Sequence, residues 1–523
     1  MTTPVSVAMD ELAWSGATNP VLPGFHPDPS VCRVDEDGDA WFYLVTSTFE
    51  YLPGLPVHRS RDLVSWELVG HVVTDQIDFA GIGDSGGLYA PTIRHDGDRF
   101  LVVCELVGGP EGARGNFIVT APEAAGPWSA PVWWPEATGG DLSLLIDGDR
   151  IWAHGARQTK RQDWNGQGEV WVREVDPRTL ALIGPESVVF TSAVHGGIWT
   201  EGPHLYRRGE FVHLVAAEGG TGRDHAVVTG RASRPTDVFT VNANNPVLTH
   251  RHLGPGAAVV NVGHADLVEA PDGTWWAVVL ASRLVDGVDL LGRETFLVRA
   301  DWVDDHLVLA PGTGTLVPEP GGPAASTDGS QPADRAQEEP WVAVRRLPGE
   351  VVTPDEDGVA LRLAAGAGPA SPTPAFVGRR LLAPCSTITL ELSAPVGDVT
   401  EVGLVVRQSS TQWLTAALRP PVSEHDGGLL VVTRCVDGVP QDVATLAGPG
   451  AGIVRIGIRG RSAEVSWEGE TGARVVAQVD VGHLSTTVSH GFVGVVVGPY
   501  AVGSGEVGVR SLRQAPLLHP GVA

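Results

Sequence analysis

Apolar and polar residues alternate in five short runs along about the first 315 residues, and each run directly follows a turn dipeptide that ends in glycine. The runs read DAWFYLVTS, DRFLVVCE, DRIWAHG, EFVHLVAA and TWWAVVLA. Alternation with a period of two is typical of a half-buried β-strand. A turn of the Asp-Gly kind beside such a strand indicates a β-hairpin. The pattern therefore predicts five hairpins in this part of the chain.

The five hairpins are spaced almost evenly. Their turn glycines, Gly38, Gly97, Gly148, Gly209 and Gly273, lie 51 to 64 residues apart. Repeated units of this length, each built around a hairpin, are typical of a β-propeller with one four-stranded blade per unit. A large irregular sandwich is the alternative on spacing alone. We therefore predict a five-bladed propeller over residues 1–317.

A second region follows a break in composition. Residues 318–340, PEPGGPAASTDGSQPADRAQEEP, have no apolar periodicity and predict a linker or a long exposed loop. Beyond them, short apolar runs are separated by Gly, Pro and Asp: LRLAAG, ITLELSA, VGLVVRQ, LLVVTRCV, IVRIGIRG and FVGVVVG. This pattern predicts an antiparallel β-sandwich over residues 341–523. The predicted fold class is thus all-β, a five-bladed propeller followed by a C-terminal sandwich.

Charge and composition exclude several classes of partner. With 62 acidic and 36 basic side chains the net charge is −26, which argues against nucleic acid or an anionic membrane as a partner. No apolar run approaches the ~18 residues that would span a bilayer. The four cysteines share no metal or disulfide spacing, and the first 20 residues contain no Lys or Arg. These features predict a soluble, cytoplasmic protein.

Candidate chemistry lies just upstream of the turns, where each unit should place its innermost strand. Asp28, Asp141, Glu201 and His264 occupy comparable positions in four units, and Ala90 occupies that position in the second unit. If the units are blades, these side chains meet at one axis. The alternative is a purely structural role, in which such acids only cap backbone amides near turns.

Carboxyl groups crowded in a channel push one another's pKa values apart, so that one serves as a base while another stays protonated as an acid. Hydrolysis of a glycosidic bond requires this pair of roles. Phe49, Tyr89 and Trp199 offer flat faces for sugar rings, although most of the 16 tryptophans must belong to the core.

Arg293 and His264 each allow two interpretations. Arg293, in LLGRETFL, either faces the channel, where it would bind sugar hydroxyls and pair with a carboxylate, or lies on the surface. His264 is either a core histidine satisfied by backbone groups or a ligand of a cation on the axis, directly or through water.

At these residues the chain resembles glycoside hydrolase family 43, and within it the two-domain β-xylosidases. The matching strings include NPVLPGFHPDPSV, GLYAPTIRH, TEGPHLY, AEGGTGRDHAVVTGRAS, GHADLV and GRETFL, in the family's order. The resemblance implies an inverting hydrolase that needs no cofactor. It implies that Asp28 is the general base, Glu201 the general acid and Asp141 the acid that orients Glu201 and tunes its pKa.

The resemblance also implies the residues around the sugar. Arg293 and Thr221 would contact the non-reducing sugar, Phe49 and Tyr89 would form an aromatic wall, and Phe492 would close the site from a sandwich packed on the propeller. His264 would lie near an ion or water site, for which calcium is the candidate cation. A homo-oligomer is implied as well.

The sequence departs from the family's pattern beside these residues. Asp141 lacks the usual following proline, Tyr89 replaces a tryptophan, and no tryptophan occurs near Ala156 or Arg157. The leading hypothesis is a β-xylosidase that acts on short β-1,4-xylooligosaccharides. The alternatives are an α-L-arabinofuranosidase, an enzyme with both activities, and a non-catalytic sugar-binding propeller. A fructosidase is disfavoured because its Asn-Asp-Pro and Arg-Asp-Pro strings are missing.

Overall fold

The computed structural model describes residues 18–36, 38–109, 114–321, 339–354, 360–393, 397–420, 428–448 and 450–517. Most of the predicted linker, 318–340, lies outside these described residues, and the domain boundaries stay a prediction. No helix among the described residues is long and apolar enough to cross a bilayer.

The N-terminal region consists of five four-stranded antiparallel sheets, which confirms the predicted five-bladed propeller. Blade 1 holds β1 (Ser30–Glu36), β2 (Asp39–Val45), the short β3 (Tyr51–Leu52) beside it, β4 (Gly54–Ser60) and β5 (Glu67–Val73). Blade 2 holds β6 (Gly87–His95), β7 (Phe100–Val107), β8 (Gly115–Ala121) and β9 (Val132–Trp133). Blade 3 holds β10 (Gly140–Asp147), β11 (Arg150–Gln158), β12 (Gly168–Val175) and β13 (Leu182–Thr191). Blade 4 holds β14 (Glu201–Arg208), β15 (Phe211–Glu218), β16 (Ala226–Ala232) and β17 (Thr240–Val241). Blade 5 holds β18 (Val259–Glu269), β19 (Trp275–Arg283), β20 (Glu294–Val303) and β21 (His306–Leu309).

The first strand of each blade lines the axis of the ring. Strands β1, β6, β10, β14 and β18 pack side by side around it, each against its two neighbours. All five turn glycines fall between the first and second strands of a blade, so the predicted hairpins are confirmed. Apolar side chains on the blade faces, such as Leu101 and Val103 against Leu142 and Leu144, form a separate core between neighbouring blades.

Polar contacts join the N-terminal segment to blade 5 and link the blades to one another near the axis. Asn19 bridges to blade 5: its side-chain amide donates to the Leu297 carbonyl at 2.9 Å and accepts from the Leu297 N–H at 2.9 Å. Near the axis, the buried carboxylate of Asp266 on β18 pairs with Arg94 on β6 at 2.8 Å. Asp266 also accepts hydrogen bonds from Ser30 and Tyr206, so one side chain ties four blades together.

The C-terminal region is the predicted sandwich, with one sheet of seven strands and one of six. The first sheet holds β23 (Val352–Pro354), β24 (Ala360–Ala364), β26 (Cys385–Leu392), β31 (Gly452–Arg459), β32 (Ser462–Gly469), β33 (Gly472–Asp480) and β35 (Glu506–Pro516). The second holds β25 (Arg379–Arg380), β27 (Val399–Arg407), β28 (Trp413–Arg419), β29 (Leu429–Val436), β30 (Val439–Ala447) and β34 (Val496–Gly503). The faces enclose a large aliphatic core that includes Ile388, Leu404, Ile456 and Val497.

Across the described ranges, helical structure is confined to short turns: 3₁₀ segments at Arg251–Leu253, Pro348–Glu350 and Gly482–Leu484, and one helical turn at Thr486–Ser489. The run FVGVVVG contributes to β34, which begins at Val496. Phe492 therefore lies in the loop between the helical turn and β34. A loop position frees its side chain to leave the sandwich and reach the propeller.

The sandwich packs on the propeller beside blades 1 and 2. Strand β22 (Ala343–Val344) pairs with β3 of blade 1 in a two-stranded sheet. A half-buried ion pair continues the interface: Asp84 of the propeller pairs with Arg345 at 3.0 Å. The loop that carries Phe492 lies against the same face, where the Phe492 N–H donates to the Ser85 hydroxyl at 3.0 Å.

Candidate active site

Each blade has a residue in the left-handed conformation at the mouth of the channel, on its first strand or, in blade 1, just before it. These residues are Asp28, Ala90, Asp141, Gly202 and His264, with φ between 37° and 54°. In blades 2 to 5 the strand register shifts at this point, which is the signature of a β-bulge. Bulges re-aim side chains and recur beside functional sites. The structure thus brings Asp28, Asp141 and His264 to equivalent places, whereas Glu201 precedes the bulge residue of its blade.

Gly202 explains why blade 4 differs. A Cβ at this position would lie 2.9 Å from the His264 ring, too close for any side chain. The Gly202 N–H donates to Asp141 Oδ2 at 2.9 Å. Asp141 therefore holds the backbone beside Glu201, and the carboxyl of blade 4 comes from the preceding residue.

Asp28 is a buried carboxylate fixed on both oxygens. Arg293 Nη1 donates to Oδ1 at 2.9 Å, and the Ser47 hydroxyl donates to Oδ2 at 2.7 Å. Ser47 is itself oriented by the Ala90 N–H, which donates to its oxygen at 2.7 Å. Arg293 is thus channel-facing and buried, and the Asp28 carboxylate is held in one orientation.

An aromatic wall flanks this pair. The rings of Phe49 and Phe492 stack with centroids 5.8 Å apart and planes 15° apart. Tyr89 meets both edge-on, at 4.7 Å from Phe49 and 5.7 Å from Phe492. The Arg293 guanidinium carbon lies 5.2 Å from the Phe492 centroid. Propeller and sandwich together therefore build one rigid apolar surface beside Asp28.

Glu201 has a partner that sequence reasoning missed. His225, immediately before β16, is fully buried, and its Nε2 lies 3.3 Å from Glu201 Oε1. Its Nδ1 lies 3.0 Å from the Asn261 carbonyl, which requires a proton on Nδ1. The ring packs on Gly263, where a Cβ would lie only 2.5 Å away. The His225 ring is therefore clamped, and its Nε2 faces the inner oxygen of Glu201.

Asp141 has the electrostatics of a crowded site. Burial is the largest cause that raises its pKa, and the negative charges of Glu201 and Asp28 add to it. His264 and the Gly202 amide oppose the rise, and the pKa settles at about 6. Asp141 therefore changes charge as the pH passes through about 6.

Glu105 is a second residue that sequence reasoning missed, and it is a carboxyl. It lies on β7, and a cavity of about 340 Å³ brings it together with Asp141, Glu201 and Trp199. Burial and the charge of Asp141 raise its pKa to about 7. The only sequence signal is the Gly139-Gly140 pair before Asp141, because a Cβ at Gly140 would lie 2.2 Å from Glu105 Oε2.

The remaining predicted residues are placed as follows. Thr221 lies in the loop after β15, next to Gly220, which packs beneath the ring of Trp199. His264 is buried, and its ring centroid lies 6.5 Å from that of His204. Among the described residues no group of three His, Cys, Asp or Glu side chains is arranged to hold a metal ion. A cation held through water at His264 stays a prediction.

Comparison with known families follows the division into two regions. Residues 17–308 match the family described as "Glycosyl hydrolases family 43". Residues 337–510 match the family described as "Beta xylosidase C-terminal Concanavalin A-like domain".

Two relatives have names that bear on activity. A "Xylosidase/arabinosidase" of Butyrivibrio fibrisolvens is 42% identical over 309 residues, which is 58% of either chain. The chain thus matches little more than half the length of that relative. The "Non-reducing end alpha-L-arabinofuranosidase BoGH43B" of Bacteroides ovatus is 32% identical over 527 residues, covering 95% of this chain and 93% of the relative.

Solved structures share the whole architecture. "Bacteroides ovatus Xyloglucan PUL GH43B" superposes with a TM-score of 0.84 at 30% identity, covering 95% of this chain and 99% of that one. The xylan beta-1,4-xylosidase from Bacillus halodurans C-125 also reaches a TM-score of 0.84, at 26% identity and with the same coverage.

Proposed function

The chain belongs to glycosyl hydrolase family 43 and is a glycoside hydrolase of the xylosidase and arabinofuranosidase kind, and within that kind we propose that it is an inverting exo-β-xylosidase. Its substrates are short β-1,4-xylooligosaccharides, from which it removes the non-reducing xylose. One observation carries the proposal: three carboxyls from three blades converge at the channel mouth, each with a different environment.

Asp28 acts as the general base. Its two oxygens are held by Arg293 and Ser47, so a lone pair stays directed at a water molecule beside the anomeric carbon. Asp28 takes one proton from that water as its oxygen bonds to the anomeric carbon. Direct attack inverts the configuration at that carbon.

Glu201 acts as the general acid on the opposite side of the sugar. It gives a proton to the glycosidic oxygen as the bond from that oxygen to the anomeric carbon breaks, so the leaving sugar departs as a neutral alcohol. Asp141 supports this step in two ways. It holds the backbone beside Glu201 through the Gly202 amide, and its negative charge opposes premature loss of the acidic proton.

The exo mode of action follows from the aromatic wall. Phe49, Tyr89 and Phe492 close the side of the site next to Asp28 and Arg293. A pocket closed at that end accepts the terminal sugar of a chain and excludes internal ones. Flat rings in the wall stack on the apolar face of that sugar.

Two substitutions test the assignment of acid and base. Asp28→Asn and Glu201→Gln should each lower kcat on xylobiose by orders of magnitude and leave substrate binding largely intact. Proton NMR during hydrolysis by the unaltered enzyme should show α-xylose appearing first. Near-normal turnover in either variant would remove that residue from its role, and initial β-xylose would exclude inversion.

An α-L-arabinofuranosidase, or an enzyme with both activities, is the second candidate. The observation that favours it is the relative named for that activity, which matches 95% of this chain. Both sugars present similarly placed hydroxyls to the same carboxyls. Parallel kcat/KM measurements on 4-nitrophenyl β-D-xyloside and 4-nitrophenyl α-L-arabinofuranoside decide between them: the xyloside should be preferred, and preference for the arabinofuranoside would reverse the order.

A further inference from the structure

A cavity of about 340 Å³ opens beside the general acid, on the side of blades 2, 3 and 4. Its lining includes Glu105, Asp141, Gln158, Trp199 and Glu201. Asp28, Arg293 and the aromatic wall are not part of that lining. In an inverting hydrolase the base works on one face of the sugar and the acid on the leaving-group side. A cavity that contains the acid and not the base is therefore where the leaving group lies.

Glu105 is directed into this cavity by the absence of a side chain at residue 140. Its Oε2 lies 2.2 Å from where a Cβ of Gly140 would be, directly beside the backbone of Asp141. Within the described residues, neither carboxyl oxygen of Glu105 has a hydrogen-bond partner in the protein, whereas Asp28 is held on both of its oxygens. Its polar atoms thus face the cavity without a partner.

Trp199 provides an apolar surface in the same cavity. Its side chain is 50% exposed, an unusual state for so large an apolar group. One side of the ring packs on Gly220, where a Cβ would lie 2.5 Å from the ring. The Trp199 N–H donates to the Gly166 carbonyl at 2.7 Å, which fixes the backbone beneath it. An exposed, supported indole beside an unpartnered carboxyl is the combination that binds a sugar ring.

We propose that Glu105 determines leaving-group specificity: its carboxyl hydrogen-bonds a hydroxyl of the departing sugar while that sugar stacks on Trp199. The inference rests on the proposed glycosidase function and adds to it a residue that selects a sugar over other leaving groups. Burial and the charge of Asp141 raise the pKa of Glu105 to about 7, so the group both donates and accepts hydrogen bonds near neutral pH.

The test compares two substrates that share the xylosyl group and differ in what leaves. Xylobiose has a sugar that fills the cavity, and β-D-xylosyl fluoride has a leaving atom too small to reach Glu105. In Glu105→Ala the ratio of kcat/KM for xylobiose to kcat/KM for the fluoride should fall about tenfold, the loss expected for one buried hydrogen bond to substrate. Trp199→Ala should lower the same ratio.

Controls separate this role from a structural one. Glu174→Gln removes the charge of an exposed pair with Arg150 on blade 3, outside the cavity, and should leave the ratio unchanged. Glu105→Gln preserves shape and carries the test if the alanine variant does not fold; its ratio should fall less than that of Glu105→Ala. An unchanged ratio in both Glu105 variants, or an equal fall on both substrates, overturns the proposal.

The failure of the proposed function has a different signature. An unaltered enzyme that cleaves neither xylobiose nor xylosyl fluoride contradicts the xylosidase assignment itself. If the unaltered enzyme cleaves arabinofuranosides instead, the same ratio is measured with an arabinofuranosyl disaccharide and an arabinofuranosyl fluoride, and the expected tenfold fall for Glu105→Ala is unchanged.

Discussion

His225→Ala is the substitution whose outcome follows most directly from the geometry of the acid. The imidazole is fully buried, clamped between the Asn261 carbonyl and Gly263, and its Nε2 is 3.3 Å from Glu201 Oε1. Removing it leaves the inner oxygen of Glu201 without a neighbour and gives the carboxyl freedom to rotate. Losing a close polar contact of this kind to a carboxyl costs about 1–3 kcal/mol. At 1.36 kcal/mol for each tenfold in rate, that predicts a loss of roughly 5- to 150-fold.

The loss should depend on the leaving group, because only a poor leaving group needs the proton that Glu201 supplies. The assay is kcat/KM on aryl β-xylosides whose phenols span a wide range of acidity. His225→Ala should approach the full loss on phenyl xyloside and come close to the unaltered enzyme on 2,4-dinitrophenyl xyloside. His213→Ala, which removes another buried histidine of blade 4, 4.5 Å from Trp302, should show no such dependence. The same loss across all phenols would refute the reasoning.

Three other predictions concern charge and packing. Since the pKa of Asp141 is raised to about 6, mainly by burial, kcat/KM should rise with pH through about 6 as its carboxyl ionises; a limb near pH 4 would contradict this. Phe492→Ala removes the stack on Phe49, worth about 0.5–1.5 kcal/mol, so KM should rise roughly 2- to 10-fold while the unfolding temperature moves little. Burial lowers the pKa of His58 to about 3, whereas the pKa of histidine in the unfolded chain is about 6.5. Between these two pH values only the unfolded chain binds the proton, so stability is lost as the pH falls from about 6.5 towards 3. The cost is about 2 kcal/mol at pH 5, and His58→Leu should flatten the fall in unfolding temperature between pH 7 and 5; an equally steep fall would exclude His58 as its source.

The hairpins and the blade count were predictable because they depend on local patterns. A turn glycine followed by an alternating strand is specified within about a dozen residues, and five repeats of it imply one architecture. Asp28, Asp141 and His264 lie at the predicted position because each stands 7 to 10 residues before the turn glycine of its blade. Phe492 needed the family resemblance, since its own run is apolar enough to be mistaken for a strand.

Glu105 and His225 could not be predicted from local pattern. Neither lies on the first strand of its blade: Glu105 is on β7 and His225 immediately precedes β16, so the distance from the turn glycine carries no information about the axis. Each faces the site because a neighbouring blade lacks a side chain, at Gly140 and at Gly263 respectively. Glu105 and Gly140 are 35 positions apart in the sequence, and His225 and Gly263 are 38 apart. Their contact is therefore recognisable only when the blades are placed side by side.

Phe492 shows that the catalytic carboxyls and part of the sugar-binding surface in the proposed function come from different regions of the chain. The carboxyls to which the proposed function assigns bond cleavage all belong to the propeller, whereas Phe492 of the aromatic wall belongs to a loop of the sandwich more than 200 residues beyond Glu201. Changes in that loop can therefore retune which sugar is accepted without disturbing proton transfer. The sandwich therefore helps to determine which sugar is accepted. Exchanging it between relatives offers a route to new selectivity while the catalytic centre stays unaltered.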